Sequence, residues 1–155
     1  MINPRQLRHL TRQELVELSP FLATNNAIEL LMMTFAAESE CGRWLWQHVP
    51  GPVRIPENLA YGIGQMEAMA YQDATRVILR YKPSFIVPPR NRLITDLRLA
   101  IWTARCYYLR FIEPIPHYKN VQHLAKYWKK YWNTEHGAGT AEGAEQKYNE
   151  YAVEK

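Results

Sequence analysis

Glu38-Ser39, at the end of an apolar run, and Gly62-Ile63-Gly64-Gln65-Met66, further along the chain, are the residues whose types and order can do chemistry. A carboxyl held against apolar surface resists ionisation. It can stay protonated near neutral pH and give its proton to the leaving oxygen of a glycosidic bond. Phe35, Ala36 and Ala37 supply that surface before Glu38. Ser39 carries no signature of an activated nucleophile and reads as a positioning group. Gly62 and Gly64 allow backbone conformations and close approaches that other residues resist. Gln65 brings an amide donor and acceptor to the start of a helix, suited to orienting a sugar or the acid. A nucleotide-binding reading of this turn fails, because no strand precedes it and no third glycine follows at the required spacing.

An inverting hydrolase needs a second carboxylate about 6.5–9.5 Å from the first to activate water. Glu67, Asp73 and Asp96 are the candidates, and each reads first as a surface or capping residue. The sequence therefore favours a reaction that uses one acid.

These residues need a frame, and apolar spacing supplies a helical one. Thr11-Arg12-Gln13-Glu14 has capping-box spacing and opens a short helix to about Leu18, stopped by Ser19-Pro20. Thr24-Asn25-Asn26 caps a helix to about Glu40 that is apolar nearly all round, the pattern of a central, buried helix. Gly42 to Leu59 is rich in proline and reads as a loop, with room for a short hairpin over Val49 to Ile55. Further helices are expected from about Gly64 to Pro83, from Thr95 or Asp96 to about Phe111, from about Asn120 to Trp132, and from about Ala141 to Ala152. The fold class is mainly α: one domain over 1–155 with little or no sheet, in which 1–20 and 141–155 read as peripheral arms.

With 155 residues, 47% of them hydrophobic, the chain is large enough to bury a core without metal or disulfide staples. The net charge of +4 tilts it mildly toward anionic partners without choosing among them. No signal peptide is readable at the start, and Ala27 to Ala37 is too short to span a bilayer, so membrane insertion is not expected. Cys41 and Cys106 read as unpaired, buried thiols. His9, His48, His117, His123 and His136 show no metal-ligand spacing, so neither a metal nor another cofactor is expected. Trp44 and Trp46 either line a cleft wall or close the core. In Tyr127-Trp128-Lys129-Lys130-Tyr131-Trp132 the rings suit stacking on sugars or bases. The plainer reading puts Tyr127, Trp128 and Tyr131 in the core and Lys126, Lys129 and Lys130 in water.

Ala36-Ala37-Glu38-Ser39 and Tyr61-Gly62-Ile63-Gly64-Gln65-Met66 together resemble the lysozyme-like superfamily of soluble lytic transglycosylases and goose-type lysozymes. There a helix ends in a catalytic Glu-Ser, and a loop leads to a Gly-x-x-Gln-hydrophobic segment lining the cleft. Ala100 to Leu109 is similar to the family's helix of small residues followed by Tyr-Leu. Tyr131-Trp132-Asn133 before Gly137 stands where the family has Tyr-Asn and glycine. The chain departs from the family at Ala68, Met69 and Ala70, where proline and threonine are usual. It is more similar still to small bacteriophage-encoded proteins with Glu-Ser, Gly-x-x-Gln-Met-Glu and Leu-Ala-x-Tyr-Trp-Lys-Lys-Tyr.

The resemblance implies a lysozyme-like domain in which Glu38 is the catalytic acid and Ser39, Gly64, Gln65, Met66 and Tyr131 contact substrate. It implies peptidoglycan glycan strands as substrate, cleaved by a single-glutamate lytic transglycosylase mechanism. A location in the virion, or in the host cytoplasm before assembly or release, follows, with action at the periplasmic cell wall. The competing expectation is a non-catalytic virion structural or assembly protein that keeps the fold and binds other virion proteins. A nucleic-acid-binding helical protein is the third reading, and nucleic acid is not expected among the partners.

Overall fold

In the computed structural model, which describes residues 1–47 and 59–154, the chain is mainly helical, and no helix of these residues is long and apolar enough to cross a membrane. Six α-helices follow in order: α1 Pro4–Leu18, α2 Asn25–Ser39, α3 Ala68–Tyr81, α4 Leu97–Tyr108, α5 Val121–Trp128 and α6 Ala141–Tyr151. Short 3-10 turns at Pro20–Leu22 and Arg90–Ile94 and a π-helical turn at Lys129–Asn133 complete the helical set. The hairpin expected over Val49 to Ile55 lies outside the described residues.

α2 is the central helix, packed by α1, α4, α5 and α6. Its apolar residues face every direction, so ten of its positions are buried, among them Leu31, Met32, Met33 and Phe35. Truncating a ring buried like Phe35 costs about 3–5 kcal/mol. Thr24 caps its start by accepting from the Ala27 amide at 3.2 Å. Its end is sharp. Glu40, Cys41 and Gly42 follow with φ of 52°, 54° and 86°, while the Glu40 and Cys41 amides bond back to the Ala36 and Phe35 carbonyls. Glu38 is thereby fixed in the last turn of a helix that cannot continue.

Both segments expected as peripheral arms belong to the core instead. Asn3 accepts from the amides of Arg5 and Gln6, and Pro4 takes the first helical position, so α1 starts well before Thr11. Its Leu7, Thr11, Leu15 and Leu18 form one buried stripe against α2 and α4. α6 buries Ala144 and Tyr148 against α2 and α5. Cys41 and Cys106 are buried and unpaired, as their apolar settings suggested.

The glycine turn differs from its expected place at a helix start. Tyr61 and Met66 exchange both backbone hydrogen bonds, closing a loop in which Gly62 has φ 77° and Gln65 φ 48°. The helix begins only at Ala68, and Met69 in its first turn is exposed. Gly62 has to be glycine, since a Cβ there would stand 2.8 Å from the Leu93 carbonyl oxygen. Arg90 clamps this loop, donating to the Leu59 and Met66 carbonyls and stacking over Tyr61 at 4.3 Å.

Candidate functional site

Glu38 opens into a cleft of about 410 Å³. The end of α2 supplies Glu38, the glycine turn supplies Gln65 and Met66, and the start of α3 adds Glu67 and Ala70. Tyr107 at the end of α4 faces them, with Trp132, Asn133, Thr134 and Gly137 from the π-helical turn and the loop after it.

That turn is built by one lysine. Lys129 Nζ donates to Asn133 Oδ1 at 2.7 Å, to the Thr134 carbonyl at 2.7 Å and to the Gly137 carbonyl at 2.9 Å. A cation satisfying the loose carbonyls at a helix end stabilises it, and π-turns commonly mark functional sites. The turn brings the Trp132 ring over Gly64, where a Cβ would lie 3.2 Å from Cζ2. Tyr107 packs edge-on to Trp132 at 5.0 Å and donates to the Tyr131 carbonyl at 3.2 Å, so the aromatic wall is braced from behind.

Burial shifts two groups at the cleft, raising the pKa of the Tyr107 hydroxyl and, with more consequence near neutral pH, that of Glu38. Burial pushes its pKa up from 4.5 to about 7. The Trp128 indole, donating from Nε1 to Oε1 at 3.1 Å, and the positive charge of Lys147 pull the other way, more weakly. Lys147 is held beside the helix end by its bond to the Ala37 carbonyl at 2.9 Å. Glu67 adds a small upward push through like-charge repulsion. An acid with this pKa is present in both protonation states near neutral pH, the condition for giving a proton and taking one back.

Of the residues singled out from sequence, Glu38, Gln65 and Met66 line the cleft together. Gly64 is buried behind them as the seat of Trp132. Gln65 spends its amide nitrogen on the Gly62 carbonyl at 2.9 Å and the Trp44 carbonyl at 3.3 Å. Its carbonyl oxygen is the part left to meet a ligand. Ser39 is fully buried and takes no place in the cleft wall. It donates to the Phe35 carbonyl at 3.1 Å and accepts from the Gly42 amide at 2.9 Å, which locks the helix end. Tyr131 also lies away from the cleft, stacked on Phe111 at 4.3 Å with its hydroxyl on Glu113.

Among the candidate second acids, Asp73 is paired with Arg110 at 3.0 Å and Arg76 at 3.5 Å, and Asp96 caps α4 through the Leu99 amide. Glu67 alone of the three reaches the cleft. Trp44 and Trp46 neither close the core nor line this cleft; both are about half exposed. Lys129, expected in water, is the π-turn clamp, and Lys130 pairs with Glu113. Sequence reasoning missed Tyr107 and Lys147, and it named Trp132 and Asn133 within a motif without assigning either to the site. The Tyr-Trp-Asn run before a glycine was the signal for these last two, with the site role given to Tyr131, one residue too early. No group of His, Cys, Asp and Glu among the described residues could hold a metal ion.

Compared with family models, curated proteins and solved structures, the chain matches none.

Proposed function

We propose that this protein cleaves the glycan strands of peptidoglycan, with Glu38 as the single catalytic acid of a lytic transglycosylase-type reaction. The observation that carries the reading is a carboxyl with its pKa raised to about 7 at the end of a buried helix, facing Gln65 and Met66 across an aromatic-walled cleft. In the reaction, Glu38 gives its proton to the glycosidic oxygen as the bond from that oxygen to the anomeric carbon breaks. The sugar's own 6-hydroxyl oxygen then bonds to the anomeric carbon and returns its proton to the Glu38 carboxylate. The acid is regenerated and no water is consumed. Trp132 and Tyr107 offer ring faces and edges to the apolar sides of sugar rings, and Asn133 offers an amide to their hydroxyls. A phage origin, with action at the bacterial wall, fits the same resemblance in sequence.

Digestion of purified peptidoglycan by wild type and by Glu38→Gln, with mass analysis of the products, tests this. Anhydro-sugar ends made by wild type alone are the expected result. Reducing ends would instead give Glu67 the role of water-activating base. No digestion by wild type would remove the reading.

A second reading, a virion assembly protein that keeps this fold without chemistry, draws support from the large apolar side chains of Phe21, Ile86 and Ile112, each nearly fully exposed. It expects Glu38→Gln to leave the yield of infectious particles unchanged.

A further inference from the structure

Away from the acid, α4 carries a second group that calls for a partner. Arg105 is only 7% exposed, yet none of the described residues gives it a carboxylate. Its sole hydrogen bond to the described residues runs from Nε to the Leu22 carbonyl at 3.2 Å. Burial lowers its pKa, but a guanidinium stays charged in proteins, so this is a largely buried cation whose two terminal nitrogens find no acceptor among the described residues and reach only the solvent of the cavity. The arginines that the described residues do hold in ion pairs, Arg8, Arg43, Arg76, Arg98 and Arg110, are all more exposed than Arg105.

Arg105 lines a cavity of about 330 Å³ between the α1–α2 connection, the segment after α4, and Tyr127 of α5. Asn26 and Thr24 are in the wall. Asn26 Oδ1 is occupied by the Tyr118 amide at 3.0 Å, which leaves its NH2 as a donor. Thr24 already accepts from the Ala27 amide and retains its hydroxyl proton. The polar side of the cavity is therefore made of donors around a positive charge. The rest is apolar, from Leu109, Phe111, Ile112, Pro114 and Ile115. Glu113 is also at the wall, but Lys130 and Tyr131 hold its carboxylate, and it does not act on Arg105.

We propose that the Arg105 cavity binds a carboxylate carried on an apolar peptide segment, as at the hydrophobic C-terminus of a protein partner. A guanidinium fork matches a carboxylate in two parallel hydrogen bonds. One buried positive charge balances one negative charge, whereas a dianion such as phosphate would leave a second charge desolvated and unpaired. Ile112, whose side chain is fully exposed at the cavity, offers the peptide's last apolar side chain a surface to cover. The site stands on α4 and α5 geometry and does not rest on the chemistry assigned to Glu38.

The test is an NMR titration of the whole chain, following the Arg105 Nε–Hε signal. The probes are acetyl-Leu-Phe with a free carboxylate, the same peptide as its C-terminal amide, acetyl-Leu-Asp-Phe-amide, and inorganic phosphate. The expected result is a saturable shift with the free acid and at least about tenfold weaker binding of the amide, since a charge-assisted hydrogen bond is lost. Binding of the internal-aspartate peptide as tight as that of the free acid would reassign the site from chain ends to acidic side chains and overturn the terminus. Phosphate binding as tightly as the free acid, or no saturable shift with any probe, would overturn the proposal. Arg105→Gln changes a buried side chain and so puts folding at risk, and Ile112→Asp provides the second arm. This exposed substitution should leave the melting temperature unchanged and weaken free-acid binding several-fold by repulsion. Unchanged affinity in that variant would place the ligand elsewhere.

Discussion

Two glutamates on α2 differ in what surrounds them, and the difference separates structure from chemistry. Glu29 is saturated: Arg8 grips both carboxylate oxygens from Nε and Nη2, and the Tyr148 hydroxyl donates at 2.6 Å. Arg8 also reaches the Ala152 carbonyl at 3.0 Å, so this one acid ties α1, α2 and the end of α6 together. Glu38, at the other end of the same helix, has one neutral donor in Trp128 and a lysine acting through space. A buried carboxylate with full partners is a fastener. A buried carboxyl with too few partners keeps its proton, and that makes it useful.

The largest effect expected from this contrast is on Glu38→Gln. The amide keeps the shape and can still accept from Trp128, but it cannot deliver a proton. Release of soluble fragments from peptidoglycan should fall by ~10²–10⁴-fold, the usual worth of a positioned general acid. Stability should move the opposite way above neutral pH. Burial raises the folded-state pKa to about 7 from 4.5. Between those values the folded chain holds a proton that the unfolded chain has released, so stability falls as pH rises through that window. Above it, the buried charge costs on the order of 3 kcal/mol, which the amide avoids. The variant should therefore melt higher than wild type at pH 8, with the gap closing toward pH 5. A variant that melts lower at both pH values would show Glu38 to be a second fastener.

Glu29→Gln should show the reverse profile. It strips Arg8 of its counter-charge and weakens the α1–α2–α6 junction by about 2–3 kcal/mol in urea unfolding. Fragment release per folded molecule should stay at the wild-type level. Loss of release in a variant that unfolds normally would mean that the two glutamates act as one network.

Gly62→Ala probes the turn opposite Glu38, and its effect should be smaller. The φ of 77° and the Leu93 carbonyl, 2.8 Å from any Cβ, leave no relaxed place for a methyl group. A loss of about 1–3 kcal/mol in urea unfolding is expected. A neutral result would mean that the loop has a second conformation that presents Gln65 differently.

The contrast between the glutamates was only half legible in the sequence. α2 and its end were readable, because a long apolar run behind a Thr-Asn-Asn cap leaves few alternatives. Glu38 was readable from its neighbours in sequence. Its tuning was not, since Trp128 and Lys147 reach it from α5 and α6. α6 looked peripheral because Ala144, Tyr148 and Ala152 make a sparse stripe among charged residues. α1 was half missed for a similar reason: Thr11 interrupts the stripe of Leu7, Leu15 and Leu18, so its first turns looked polar. Trp132, not the Tyr131 that the resemblance implied, reaches the cleft because a π-turn adds a residue to the turn and rotates the side chains after it. That geometry depends on Lys129 reaching Gly137, which no local pattern announces.

The smallest effect is also the most specific. Trp128→Phe keeps most of the ring packing and removes the only hydrogen bond that any described residue gives the Glu38 carboxylate. Because that bond lowers the Glu38 pKa, its loss should raise it, by less than about one unit for a net hydrogen bond of ordinary strength. The alkaline limb of the rate against pH should then move upward by the same amount, since the acid keeps its proton to higher pH. Turnover well below that limb should change little, because the proton donor is already loaded there. Glu29 predicts nothing of this kind, as its donors are several and include the Arg8 guanidinium. A limb that stays in place would mean that the group titrating in catalysis is not Glu38, and Glu67, also at the cleft, would be the next acid to replace.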